Sequence, residues 1–231
     1  HIERPQICQH KNMDWVLLPM ELAEMTFRDW LRQSDGSEEP EERLEKGVAL
    51  FRQACRGVQA LHEAGLAHMD LKPENLLLLP DEGAGEEEPD WQVKVADFGL
   101  ARTLKEKEVL NPHVLRDGVG TPWYMAPEQV LSARQKDIGP KADLYSLGVI
   151  LFELADGDVP FDGTPEQVRQ KHREVEPPST EPKWIDNAVR RCLQKDPEDR
   201  LEETLAELRE TRSDLERVRY DVDATEESIT S

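Results

Sequence analysis

HMDLKPENLLLL, residues 68–79, places an aspartate, a lysine, a glutamate and an asparagine within six positions and then runs into four leucines. The leucine run reads as a buried strand, and Pro73 just upstream marks a turn into it. A second strand-like run, QVKVADF (Gln92–Phe98), follows an acidic insert, so Asn75–Leu79 and Gln92–Phe98 are expected to form a hairpin with a long loop. An antiparallel return sets the start of the first strand beside the end of the second. Asp70, Lys72 and Asn75 then meet Asp97 at one mouth. Asn75 and Asp97 offer hard oxygen ligands for Mg²⁺, Lys72 a point charge for a phosphoryl group in transfer, and Asp70 an acceptor for a hydroxyl proton. Gly99 supplies the backbone freedom that such a loop needs.

Around this hairpin the apolar pattern changes from alternating to helical. ICQHKNMDWVLLPMEL (Ile7–Leu22) reads as two short strands around a polar turn, and MTFRDWL (Met25–Leu31) opens a helix that a first acidic insert ends. Leu44, Val48, Phe51, Cys55, Val58 and Leu61 recur at three- and four-residue spacing, an apolar stripe on a helix that Gly65 terminates. LYSLGVILFELA (residues 144–155) is apolar on nearly every side. It predicts a buried helix over Lys141–Ala155, and it is too short and interrupted to span a bilayer. Shorter helices are expected at Pro165–Arg173, Pro182–Gln194 and Pro197–Arg212, each with a proline near its start. The fold class is mainly α with a small β component.

The chain has 231 residues, 37% of them hydrophobic, enough for a sizeable core, and a formal charge of −20. That charge is local. Residues 35–45 hold six acids and one arginine, residues 81–90 six acids and no base, and residues 198–231 twelve acids and five arginines. These three stretches account for −18 of the −20, so the acidity belongs to two solvated inserts and a tail. No basic stripe exists for nucleic acid. Cys8, Cys55 and Cys192 are odd in number and far apart, which fits reduced thiols without a disulfide in an intracellular, cytoplasmic setting. Cys55 and Cys192 read as core residues. His62, His113 and His172 lack partners at ligand spacing and read as surface or loop residues, and no zinc site is expected. In the tail, Leu201, Leu208 and Leu215 stand seven apart with Leu205 and Val218 nearby. This is weaker support for a helical partner through residues 201–218 than for a charged extension of the last helix.

With these residues in view, the sequence resembles the eukaryotic-type serine/threonine protein kinase family. HMDLKPEN (His68–Asn75) is similar to its catalytic loop, ADFG (Ala96–Gly99) to its metal-binding loop, and GTPWYMAPE (Gly120–Glu128) to the end of its activation segment. DLYSLG (Asp143–Gly148) and DPEDR (Asp196–Arg200) follow in the order of the family's helical lobe. The resemblance implies a fold with a large helical lobe, a small β-hairpin at the catalytic cleft and remnants of a small-lobe sheet. It implies transfer of the γ-phosphoryl group of ATP, with Mg²⁺, to Ser/Thr hydroxyls of protein substrates. By the same resemblance, Asp70 is the catalytic base and Lys72 steadies the γ-phosphate, while Asn75 and Asp97 hold two Mg²⁺ ions. Thr121 bridges Asp70 and Lys72 from the substrate-docking loop. Glu128 and Arg200 form a buried ion pair, Asp143 accepts N–H groups of the catalytic loop, and His68 and Phe98 stack in an apolar spine. Met20 takes the gatekeeper position, Glu21, Leu22 and Ala23 form the adenine hinge, and Glu74 belongs to the cofactor side of the loop with a leaning toward basic substrates.

The sequence departs from the family pattern in two places. Twenty residues precede Glu21, room for two strands, and no GxGxxG motif occurs, so most of the small lobe is expected to be missing. Met69 stands where most of the family carries an arginine that receives an activation-segment phosphate, so activity is expected not to depend on such a phosphate. The expected organisation is a small-lobe remnant and hinge over 1–22, a helical lobe over 23–212 with acidic inserts at 33–43 and 80–91, and a charged tail over 213–231. The alternative reading is a catalytically inactive, truncated or pseudokinase-like interaction module.

Overall fold

The computed structural model describes residues 6–10, 13–17, 21–33, 39–81, 91–103, 121–131 and 138–200. Strands β1 (Gln6–His10) and β2 (Met13–Leu17) pair antiparallel, with Gln6 opposite Leu17 and His10 opposite Met13. A two-residue strand β3 (Met25–Thr26) leads directly into α1 (Phe27–Arg32). Thr26 caps that helix. Its hydroxyl accepts the Asp29 N–H, and the Asp29 carboxylate accepts the Thr26 N–H in return, a reciprocal cap that also holds the Asp29 carboxyl below its usual range. Phe27 and Trp30 are the buried face of α1.

Helix α2 (Pro40–Glu63) starts four residues before the apolar stripe that announces it. Pro40 at its first position and Glu41 and Glu42 in its first turn are favourable helix-start chemistry, so the end of the expected first insert is helix rather than loop. Val48, Phe51, Cys55 and Val58 are buried along one side, and Gly65 follows the C-cap Ala64 at φ +78°. The chain then forms β4 (Leu66–Ala67), a 3₁₀ turn at Pro73–Asn75, β5 (Leu76–Pro80) and β6 (Trp91–Val95). β5 pairs with β6 from Leu76 opposite Val95 to Pro80 opposite Trp91, and with β3 on its other edge. This is the expected hairpin. A further short strand, β7 (Arg102–Thr103), pairs with β4.

α3 (Pro127–Leu131) is followed by α4 (Lys141–Asp156), whose residues Ala142 to Glu153 are buried without a break. Burial on every side makes α4 the axis of the lobe. α5 (Pro165–Glu174) opens with a second reciprocal cap between Thr164 and Gln167, and α6 (Lys183–Cys192) lies against α4. Their contact needs Gly148, because a Cβ there would sit 2.4 Å from the Cβ of Cys192. Cys55 and Cys192 are both buried thiols, and burial pushes Cys192 up to about 12. The expected helix at Pro197–Arg212 begins as a 3₁₀ turn at Pro197–Asp199. Its remainder, the leucines of residues 201–218, Met20, His113, residues 34–38 of the first acidic insert and residues 82–90 of the second lie outside the described residues. The architecture is thus a large helical lobe with the hairpin, extended by β3 to three strands, at its cleft, and two two-stranded sheets, β1–β2 and β4–β7, among the described residues.

Candidate active site

The loop after β4 is held from below by one buried carboxylate. Asp143, at the start of α4 and fully buried, accepts the N–H groups of His68 (Oδ2, 2.8 Å) and Met69 (Oδ1, 2.8 Å). His62 Nε2, from the last turn of α2, lies 2.8 Å from Asp143 Oδ2, so a charge otherwise costly to bury is surrounded by donors. Met69 adopts φ +72°, a left-handed conformation costing about 1–3 kcal/mol for a non-glycine residue. Bonds on both sides hold it there: its N–H goes to Asp143, and its carbonyl accepts Gln129 Nε2 at 2.8 Å. His68 is also fixed. Its Nε2–H donates to the Ala96 carbonyl at 2.8 Å, which leaves Nδ1 to accept the Asp70 N–H at 3.3 Å.

Above this support the polar groups converge. Lys72 Nζ donates to Asp70 Oδ2 at 2.9 Å, and Asn75 Nδ2 donates to the Asp70 carbonyl at 2.8 Å and lies 3.5 Å from Asp70 Oδ2. Asn75 is buried, while Asp70 and Lys72 are half-buried. The Ala96 N–H donates to the Asn75 carbonyl at 2.9 Å and ties the end of β6 to this loop. Asp97 follows in the left-handed region at φ +63°, exposed, with Oδ1 accepting the Gly99 N–H at 3.2 Å. The Phe98 ring lies 5.4 Å from the His68 ring at 52°, so the two meet tilted rather than stacked, and Phe98 is 45% exposed.

The donor set suits Mg²⁺. Because the Asn75 amide nitrogen is committed to Asp70, its Oδ1 is the group left to ligate, and Asp97 retains Oδ2. Two protein oxygens match a cation that keeps waters and phosphate oxygens in its shell. Among the described residues no three His, Cys, Asp or Glu side chains cluster as a metal cage.

Glu21, Leu22 and Ala23 line a pocket of about 480 Å³ with Met25, Thr26 and Leu77, and the segment is fastened by the Glu24 N–H to the Leu78 carbonyl at 3.0 Å. Thr121 is half-buried at the start of the 3₁₀ turn Pro122–Tyr124, and the structure does not bring it into hydrogen bonding with Asp70 or Lys72. Glu74 turns away from Lys72 and pairs with Arg28 Nε at 2.8 Å. Arg28, on α1, also bonds Glu153 of α4 and the Tyr124 hydroxyl, and that hydroxyl donates to Glu153 Oε2 at 2.6 Å. The guanidinium of Arg200 is fully buried against Glu128. Nη1 meets Oε1 at 2.6 Å and Nη2 meets Oε2 at 2.9 Å, while Nε, Nη1 and Nη2 also donate to the carbonyls of Gln194, Lys141 and Lys195.

Sequence reasoning misses several partners. His62 and His172, read as surface or loop residues, are both engaged in the lobe. His172 is fully buried, its Nε2–H donating to the Trp123 carbonyl at 3.0 Å and its Nδ1 accepting the Tyr145 hydroxyl at 2.8 Å. Burial, reinforced by the nearby Lys195 ammonium, pulls its pKa down to about 4. Their partners lie 81 and 27 residues away in sequence, beyond any ligand-spacing rule. Gln129 had one available signal, its place directly after Glu128.

Compared with known proteins, the chain matches the family model "Protein kinase domain" over residues 5–211. It is 40% identical to the serine/threonine-protein kinase PknL of Mycobacterium tuberculosis over 116 residues, 50% of this chain and 25% of that protein. It is 38% identical to the serine/threonine-protein kinase Pkn1 of Myxococcus xanthus over 162 residues, 66% of this chain and 22% of that protein. It is 32% identical to the serine/threonine-protein kinase PknB of Mycobacterium leprae over 200 residues, 84% and 28% respectively. The chain spans about a quarter of the length of these relatives.

Proposed function

The chain belongs to the serine/threonine protein kinase family, and from that premise we propose that it takes part in transfer of the γ-phosphoryl group of MgATP to serine and threonine hydroxyls of protein substrates. The observation that carries this reading is the convergence of Asp70, Lys72 and Asn75 on a loop pinned by Asp143, with Asp97 tied to it through the Ala96–Asn75 bond.

MgATP supplies the phosphoryl group and neutralises charge on it. The residues supply position. Asp70 has its Oδ1 free of protein donors among the described residues, so it orients the incoming hydroxyl and takes its proton. Lys72, already 2.9 Å from Asp70, keeps further N–H donors for the γ-phosphate. Asn75 Oδ1 and Asp97 would hold the Mg²⁺ ions. Glu21, Leu22 and Ala23, with Met20 before them, receive the adenine, Thr121 lies on the docking side, and His68 with Phe98 joins the two loops. The Glu128–Arg200 pair anchors the docking segment.

The test is MgATP binding to the 231-residue chain by calorimetry, alongside a phosphoryl-transfer assay, with Asp97→Asn as the control. Metal-dependent transfer should fall by about a hundredfold or more in Asp97→Asn, since the variant loses the anionic oxygen that would hold the Mg²⁺ whose charge offsets the developing phosphoryl charge. Turnover unchanged by the substitution would place the metal elsewhere. Absence of both binding and transfer would mean either a fragment that needs a small lobe or a catalytically inactive, pseudokinase-like interaction module.

A further inference from the structure

A second feature of the helical lobe lies at the N-terminal half of α2. Gly47 lets α2 close onto its neighbours, since a Cβ there would lie 2.4 Å from Leu154 Cδ1 of α4 and 2.9 Å from Trp30 Cη2 of α1. Beside that contact, the first turns of α2, the end of α1, the end of α4 and the start of α6 enclose a groove of about 1320 Å³. Its floor is apolar: Trp30, Leu31, Leu44, Val48, Leu154 and Trp184. Its rim is acidic, with Glu39, Glu41, Glu42, Glu45 and Glu181 against Arg43 and Lys183.

The two bases do not balance the rim. Arg43 is folded onto the floor, its Nη2 donating to the Trp30 carbonyl at 2.6 Å and its guanidinium 4.5 Å from the Trp30 ring centre. Glu42 pairs with Lys46 at 3.2 Å, but among the described residues Glu39, Glu41 and Glu45 have no ion-pair partner. Complementing the helix dipole explains acids in the first turn only. Glu45 lies in the second turn and Glu181 on another segment.

We propose that this groove docks a cationic amphipathic helix of a protein partner, leucine-like side chains on the floor and lysines or arginines along the glutamate rim. The groove exceeds the roughly 300–1,000 Å³ of small-molecule sites and suits a peptide segment. An apolar floor flanked by one sign of charge is the helix-in-groove pattern, and the acidic rim selects a basic occupant while repelling nucleic acid and phosphate. The docked helix would sit one helix away from the catalytic loop, because α1 lines the groove through Trp30 and Leu31 and bonds Glu74 through Arg28.

The experiment is fluorescence anisotropy of the whole chain with a labelled Leu/Lys peptide of about 16 residues, roughly 24 Å as a helix. No nucleotide is present, so the outcome is independent of phosphoryl transfer. The double variant Glu41→Lys/Glu45→Lys should weaken binding by about tenfold or more, whereas the charge-matched Glu166→Lys/Glu174→Lys on exposed positions of α5 should change it by less than about twofold. A peptide with every leucine replaced by serine at the same charge should also bind about tenfold or more weakly. Equal losses in the two double variants, an unaffected serine peptide, or no saturable binding would each overturn the proposal.

Discussion

His172 connects α5 to the turn that follows Thr121, and it does so only when neutral. Nε2–H already donates to the Trp123 carbonyl, so Nδ1 must stay unprotonated to accept from Tyr145. Protonating Nδ1 would cost that bond and place a second cation in a pocket already facing Lys195, whose own pKa burial lowers to about 8. A base whose folded pKa, about 4, lies below its ordinary 6.5 stabilises the fold fully above that ordinary value and loses the contribution as pH falls toward 4. The loss amounts to about 3 kcal/mol at most. Urea midpoints of the chain measured at pH 7 and pH 4.5 should therefore drop further than those of His172→Gln, which cannot take up that proton. An equal drop in both would show that the carboxylates alone set the acid response. Nothing in the spacing around His172 reveals this role, because each partner is brought by a different element. Asp70, Lys72 and Asn75 were legible for the opposite reason: six residues of one loop carry all three.

At the scale of elements, legibility follows the strength of the pattern. α4 could be read within one residue of its true end, since a helix buried on every side leaves no polar face to blur it. The hairpin was equally plain. Two-residue strands such as β3, β4 and β7 carry no periodicity at all, and the start of α2 was hidden because its acids resemble a solvated insert until Pro40 is seen as a helix start. What no pattern shows is how closely two elements approach. Gly148 marks such a contact, with Cys192 Cβ at 2.4 Å and Leu193 Cδ2 at 3.2 Å from the point a methyl group would take there. Both partners are buried, with no exposed flexible end to swing aside. Gly148→Ala should destabilise the fold by about 1–3 kcal/mol or more despite alanine's better helix propensity, read as a lower urea midpoint. A higher midpoint would mean that α6 shifts freely and that the α4–α6 contact is looser than its geometry.

Across the whole molecule, Arg200 joins segments far apart in sequence to the candidate site. Glu128 lies 72 residues from it, and next to Glu128 stands Gln129, which accepts the Ala126 N–H and donates to the Met69 carbonyl. A continuous chain of bonds thus runs from Arg200 through α3 to the strained residue beside Asp70. Motif resemblance picked out the Glu128–Arg200 pair, but hydrophobic pattern could not, because neither residue belongs to an apolar face. The two ends of the pair should not respond alike to truncation. Arg200→Ala strands the Glu128 carboxylate together with the carbonyls of Gln194, Lys141 and Lys195, and should cost about 3–5 kcal/mol. Glu128→Ala leaves the guanidinium bonded to those three carbonyls, and Glu128 is the partly exposed partner, so its loss should be smaller. Urea midpoints of the two single variants decide the matter, and amide exchange at Met69 shows whether the effect reaches the loop. Equal costs would mean that the carbonyl bonds contribute little and the ion pair alone fixes Arg200. A larger cost for Arg200 with faster exchange at Met69 would mean that burying this arginine sets the geometry in which Asp70 is held.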